Sequence, residues 1–195
     1  NHPNIVKLIG VEEATNGELL IISEYIEGLN LRDYLLSSNS IDINQAKWII
    51  YNILKGLVFA HEHDVIHHDL SPRNIMISRH GEVKLVDFGL SYLNDHNSIS
   101  GSLNYIDPVL VQNDVQFDTL ADIYAANLIF FELISGRKFF SGNTDFVVEL
   151  IKEFKEVSQV DLEDIEDEAL HSFFKRNLSI SRNDRFSILD LINFY

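Results

Sequence analysis

Three residues have the types and spacing to work on phosphate. Asp69 opens the run Asp69-Leu70-Ser71-Pro72-Arg73-Asn74, and Asp87 heads Asp87-Phe88-Gly89 a little further on. Between them, Ile75-Met76-Ile77-Ser78 and Glu82-Val83-Lys84-Leu85-Val86 read as two short strands with Gly81 in the turn. Asn74 and Asp87 therefore flank one hairpin and can converge on a point. An amide oxygen and a carboxylate, with no thiolate, make a hard oxygen site suited to Mg²⁺ carrying phosphate. Asp69 is left to accept a hydroxyl proton. This is an arrangement for phosphoryl transfer, in which positioning and charge neutralisation do most of the catalysis.

The elements around these residues predict an α+β unit. Ile5 to Ile9 and Leu19 to Ile22 flank Asn16-Gly17, a pair suited to a tight hairpin. Asn30 is a candidate N-cap, with Asp33 near the positive end and Leu31, Tyr34 and Leu35 in a stripe. A longer helix is predicted from Asp42, with Gln45 answering the cap three residues later. Its apolar positions, from Ala46 through Ile53 to Ala60, keep helical spacing to about His63. The stretch 90–118 is polar and reads as irregular. Leu120 to Ile134 is apolar on nearly every side, which predicts a helix buried all round. Asp122 stands in its first turn, where a carboxylate must find donors or cost several kcal/mol. Three amphipathic helices follow from Thr144 to Tyr195, around an acidic connector at 161–168 that reads as a solvated face.

Composition removes several classes of function. The chain has 195 residues, 46% hydrophobic and 23% charged, which is ample for a core. Its charge sum is 15 − 30 = −15. So acidic a surface repels phosphate backbones and anionic lipid, which argues against a nucleic-acid or membrane-surface protein. There is no cysteine, which excludes disulfides, thiolate metal sites and a cysteine nucleophile, and suits a reducing, cytoplasmic setting. No apolar run approaches the ~18 residues of a membrane span. The chain begins at Asn1 and its one methionine is Met76, so the expectation is a piece of a longer protein.

The segment around Asp69 and Asp87 resembles the catalytic loop and metal-binding motif of the protein kinase family. The resemblance runs along the whole chain. His2-Pro3-Asn4-Ile5-Val6-Lys7-Leu8 resembles the approach to the fourth small-lobe strand, and Ser23-Glu24-Tyr25-Ile26-Glu27-Gly28 resembles the gatekeeper and hinge. Gly101-Ser102 and Tyr105-Ile106-Asp107-Pro108 are similar to the end of an activation segment. Asp122 matches the buried aspartate of the central helix, and Arg185 a late structural arginine. The resemblance implies a kinase-like fold in which 1–23 is a remnant of the small lobe, 24–30 the hinge and 31–195 the large lobe. It implies Asp69 as catalytic base and Asn74 and Asp87 as Mg²⁺ ligands. ATP would bond through its adenine to backbone at Glu24 and Ile26 and rest on Met76. Leu8, His67 and Phe88 would belong to a regulatory spine, with Gly89, Asp122 and Arg185 in support. Ser71, Gly101 and Ser102 would line the side of a protein substrate, and Gly101-Ser102 favours serine/threonine over tyrosine specificity.

Several positions depart from the family pattern. His68 replaces the arginine beside the catalytic aspartate, so a phosphate on Ser98 or Ser100 would lack the usual guanidinium fork. Val109 stands where the family has the glutamate that pairs with the late arginine. Arg185 is thus expected to lack its family partner, with Asp107, two residues off, as the alternative. No glycine-rich loop, phosphate-binding lysine or helix C glutamate lies in this sequence, so a missing N-terminal lobe is expected to be required. A pseudokinase or interaction module, and a small-molecule phosphotransferase, are the other readings. A zinc site on His61, His63, His67 and His68 is disfavoured, because Asp64 falls one place early for the His-x-His-x-Asp-His run of binuclear hydrolases.

Overall fold

The computed structural model describes residues 1–37, 41–88, 103–113, 115–157, 162 and 165–195. Gly89, Ser98, Ser100, Gly101 and Ser102 lie outside them. The chain opens with a hairpin of β1 (Leu8–Glu13) and β2 (Leu19–Ser23), antiparallel, with Val11 opposite Ile21. Asn16 and Gly17 turn it as predicted, Gly17 at φ 84°. The first strand starts three residues later than its apolar run suggested. Residues 4–6 instead lie along a different strand, because Asn4 and Val6 bond to Leu85.

A second sheet has the order β3-β4-β5, all antiparallel: Gly28–Asn30, Ile75–Ser78 and Val83–Leu85. Alternation divides its two faces. Ile75, Val83 and Leu85 point into the core, while Met76 and Lys84 face the other way and sit opposite one another. Gly28 is required by close approach, since a Cβ there would lie 2.0 Å from the Ile77 carbonyl oxygen.

The helical body hangs below this sheet. Helix α1 (Leu31–Ser37) begins where the Asn30 side chain accepts the Asp33 N–H, 2.9 Å. Helix α2 (Ile43–His61) is capped by Asp42, which accepts from Asn44 and Gln45. The Gln45 amide does not close a capping box; it donates to the Tyr34 hydroxyl across the groove to α1. Short α3 (Pro108–Asn113) interrupts the stretch expected to be irregular. Its signal was present in the sequence: Asp107 accepts the Val109 N–H and Pro108 occupies the first helical position.

Helix α4 (Thr119–Ser135) is buried on all sides, as its composition predicted, and stops at Gly136 in the left-handed conformation, φ 73°. It packs against α2 through Ile123 to Leu133 on one side and Ile49 to Leu57 on the other. Helices α5 (Thr144–Glu153), α6 (Glu168–Asn177) and α7 (Ile188–Phe194) close the far side. Phe131 of α4 meets Phe174 of α6 and Phe139 of the segment before α5 edge-on, and Phe140 of that segment meets Phe154 at the end of α5 in the same way. Among the described residues no helix is long and apolar enough to cross a membrane.

Candidate active site

The loop from Asp69 to Asn74 is folded by its own short-range bonds. Ser71 accepts the Asn74 N–H, 2.9 Å, closing a single tight turn over Pro72–Asn74. The Asn74 amide then donates to the Asp69 carbonyl, 2.8 Å, and to its carboxylate, 3.1 Å. With Nδ2 so engaged, Oδ1 faces the opposite way as an acceptor. The Asn74 carbonyl accepts the Val86 N–H, 3.0 Å, which brings the end of β5 against the loop. Asp87 follows at once and is exposed. Asp69, Asn74 and Asp87 thus gather at one end of the β4–β5 hairpin, as their spacing predicted.

Two residues here have left-handed backbones without being glycine, His68 at φ 68° and Asp87 at φ 60°. Aspartate tolerates that region through local hydrogen bonding, whereas histidine has less to offset the roughly 1–3 kcal/mol involved. What holds His68 there is Asp122. Its carboxylate accepts the backbone N–H of His67, 2.8 Å, and of His68, 3.1 Å. His61, at the end of α2, places Nε2 2.8 Å from the same carboxylate. Three donors answer the demand that a buried acid on α4 creates, and the loop is fixed to the core helix by the result. His63 instead meets the Phe59 carbonyl, and among the described residues no His or acidic cluster suits a metal.

His67 is fully buried between the loop and β5. Its Nε2 lies 3.0 Å from the Val86 carbonyl, which can only accept, so Nε2 carries the proton. Burial pushes the His67 pKa below its ordinary value, against the opposing pull of Asp122 and the Val86 bond. The ring packs on Phe88 at 4.5 Å between centroids. Leu8, expected to join the same stack, is 56% exposed and lies outside the core.

Glu24, expected at the hinge, makes a contact that its sequence neighbourhood did not disclose. The Glu24 carboxylate accepts from Lys84 Nζ, 2.6 Å, and from the Lys7 N–H, 3.0 Å, and these bonds hold its pKa below the ordinary value. Glu24 N–H donates to the Lys7 carbonyl, 2.9 Å. Residue 24 is thereby tied both to the approach of β1 and to β5. That Lys84 faces away from the core was legible in the alternation of β5; its partner was not. Ile26 is half-buried two residues on, and Met76 shares the outward sheet face with Lys84. The Ser71 hydroxyl is buried without a hydrogen-bond partner among the described residues.

Arg185 has a carboxylate partner, and it is the alternative Asp107 in place of the glutamate absent at position 109. It forks onto Asp107, Nη1 to Oδ2 at 2.7 Å and Nη2 to Oδ1 at 3.1 Å, both groups buried. The fork lies over the Tyr124 ring at 4.4 Å. Arg182 adds Nε to Asp107, 3.1 Å, and Nη1 to Asp118, 2.7 Å. The reason is local. The turn before α3 points the residue ahead of Pro108 inward, so a carboxylate shifted by two positions reaches the same guanidinium.

The donors present suit the implied metal. One amide oxygen and one carboxylate are too few for an all-protein cage, yet Mg²⁺ keeps waters and substrate phosphates as its remaining ligands. Asn74 Oδ1 and Asp87 would hold it.

The family model of the protein kinase domain matches residues 1–194. The chain is 33% identical over 162 residues to a probable serine/threonine-protein kinase PknB of Lactococcus lactis, covering 80% of this chain. It is 31% identical over 150 residues to serine/threonine-protein kinase PrkC of Bacillus subtilis, covering 74% of this chain. With PknB of Mycolicibacterium smegmatis it shares 33% over 159 residues, 76% of this chain. It spans about a quarter of the length of each, 25%, 23% and 25%. The loop of Asp69 to Asn74, its tether to Asp122 and the match along nearly the whole sequence agree: this chain belongs to the protein kinase family.

Proposed function

We propose that this chain carries the catalytic and substrate-binding part of a serine/threonine protein kinase that moves the γ-phosphoryl of ATP to a protein hydroxyl. In this reading residues 1–23 belong to the small lobe, 24–30 form the hinge and 31–195 are the large lobe. The observation that supports it most is the Asn74 bridge, whose side chain holds Asp69 while its carbonyl holds the strand leading to Asp87. Asp69 accepts the proton of the attacking hydroxyl. Asn74 keeps that carboxylate in place and, with Asp87, presents oxygen to Mg²⁺, which when bound neutralises phosphate charge. Glu24 and Ile26 offer backbone to the adenine, and Met76 offers it an apolar surface. The names of the relatives support serine and threonine as acceptors, and ATP as donor suits the cytoplasm.

The test is phosphoryl transfer by the full-length protein carrying this chain. Asp87→Asn keeps the shape and removes the charge that neutralises the metal, a loss of at least ~4 kcal/mol in barrier terms, or about a thousandfold in kcat. Asp69→Asn should be comparably severe. Turnover of Asp87→Asn within tenfold of the parent removes the metal role. An inactive parent that still binds substrate leaves the pseudokinase reading in its place.

A further inference from the structure

Beside the catalytic turn lies a cleft of about 730 Å³ that phosphoryl transfer itself leaves unused. Its walls are the turn at Ser71–Arg73, helix α1 and the end of α4. Three cations line it: Arg32 on α1, Arg73 in the turn, and Lys138 just past α4. The one carboxylate among the lining residues is Glu132. In a chain whose charge sum is −15 this is a local inversion of sign.

Glu132 is already engaged. It accepts the Tyr105 hydroxyl at 2.5 Å, and burial raises its pKa above the ordinary value although Lys138 and Arg32 oppose the shift. At most one of the three positive charges is therefore compensated. Arg32 and Arg73 are exposed and enter no ion pair among the described residues. Lys138 Nζ is 3.2 Å from the Asn104 amide oxygen, a neutral partner.

The cleft is within reach of the chemistry. Arg73 follows Asp69 by four residues, so the chain between them spans at most about 14 Å, and less where it turns. An extended peptide covers that distance in two to four residues.

We propose that the cleft binds an aspartate or glutamate of the protein substrate, two to four residues from the hydroxyl that is phosphorylated, with Arg32, Arg73 and Lys138 setting this preference. The inference rests on the phosphoryl-transfer reading for what the acceptor is, while the charge matching is testable by binding alone. Guanidinium groups favour carboxylates through charge-assisted, forked hydrogen bonds, and a basic peptide meets like charge in the same place.

The experiment uses serine peptides of one scaffold, with Asp, Ala or Lys at the flanking positions on either side, and the full-length protein. Anisotropy of labelled peptides at low and high salt reads binding, and a kinase assay is run in parallel. The aspartate peptide should bind at least about tenfold more tightly than the alanine peptide at low salt, and salt should erode the difference. Arg32→Glu and Lys138→Glu should each remove most of that preference, with alanine-peptide binding and thermal unfolding unchanged. Equal binding of the aspartate and alanine peptides overturns the proposal, as does a preference that survives both substitutions. Equal phosphorylation of all peptides would sink the charge preference and leave phosphoryl transfer intact. Selective binding of the aspartate peptide without phosphorylation of any would do the reverse.

Discussion

His67 shows how one side chain can report on the whole site. Its ring is fully buried and its pKa is depressed below 6.5, chiefly by desolvation. The unfolded chain therefore binds a proton that the folded chain refuses. Stability on this account is full above pH 6.5 and falls as the pH drops through and below it. Urea unfolding of the 195-residue chain on both sides of pH 6.5 should show that acid slope. In His67→Phe the slope should shrink, while neutral-pH stability falls by about 1–3 kcal/mol because the Val86 carbonyl loses its donor. An unaltered slope would assign the acid sensitivity to another group. Asp122 is the companion case. Asp122→Ala strands the buried N–H of His67 and the N–H of His68 together, so a loss of about 3 kcal/mol is expected. Asp122→Asn, which keeps one acceptor oxygen, should recover part of it; equal losses in the two variants would mean that these bonds contribute little.

Among the elements, α3 and the late arginine turn teach most about what a sequence discloses. The spacing of Asp69, Asn74 and Asp87 was legible because a short hairpin leaves few ways to arrange its ends. The all-apolar run of α4 was legible for a similar reason: such a helix has only the core to occupy. Asp107 was legible only as an alternative, since its role depends on the direction in which the turn before Pro108 points a side chain. The Glu24–Lys84 pair escaped, because the bond joins residues 60 apart in sequence. The Asp107–Arg185 fork makes a quantitative claim. Removing one partner of a buried pair costs about 3–5 kcal/mol, because it leaves the other charge uncompensated. Asp107→Asn and Arg185→Met should each destabilise by that amount, and the double variant should cost far less than their sum. Additive losses in urea would show that the two side chains act separately, with Arg182 as the partner of Asp107.

At the scale of the molecule, the apolar surface is unevenly covered. The helices expose single apolar residues such as Trp48 and Leu189, whereas both faces of the β1–β2 hairpin carry exposed apolar residues along most of their length, Leu19 72% and Ile21 57% on one and Leu20 49% on the other. Paired strands with open edges and bare apolar faces invite association. The 195-residue chain should therefore self-associate with rising concentration by light scattering. Leu19→Lys combined with Ile21→Lys should keep it monomeric; undiminished association would place the contact elsewhere. Strand β5 has no such exposure, since β4 occupies one edge and residues 4–6 the other. That second edge is closed from far away, because Asn4 bonds to Val83 across 79 residues of chain. Proteins are made from the N-terminus at about 5–20 residues per second, so the opening segment waits roughly 4–16 s for its strand to leave the ribosome. Through that interval residues 4–6 lack the strand they pair with in the folded chain. The edge of the strand that leads to Asp87 is completed by residues made 79 positions ahead of it.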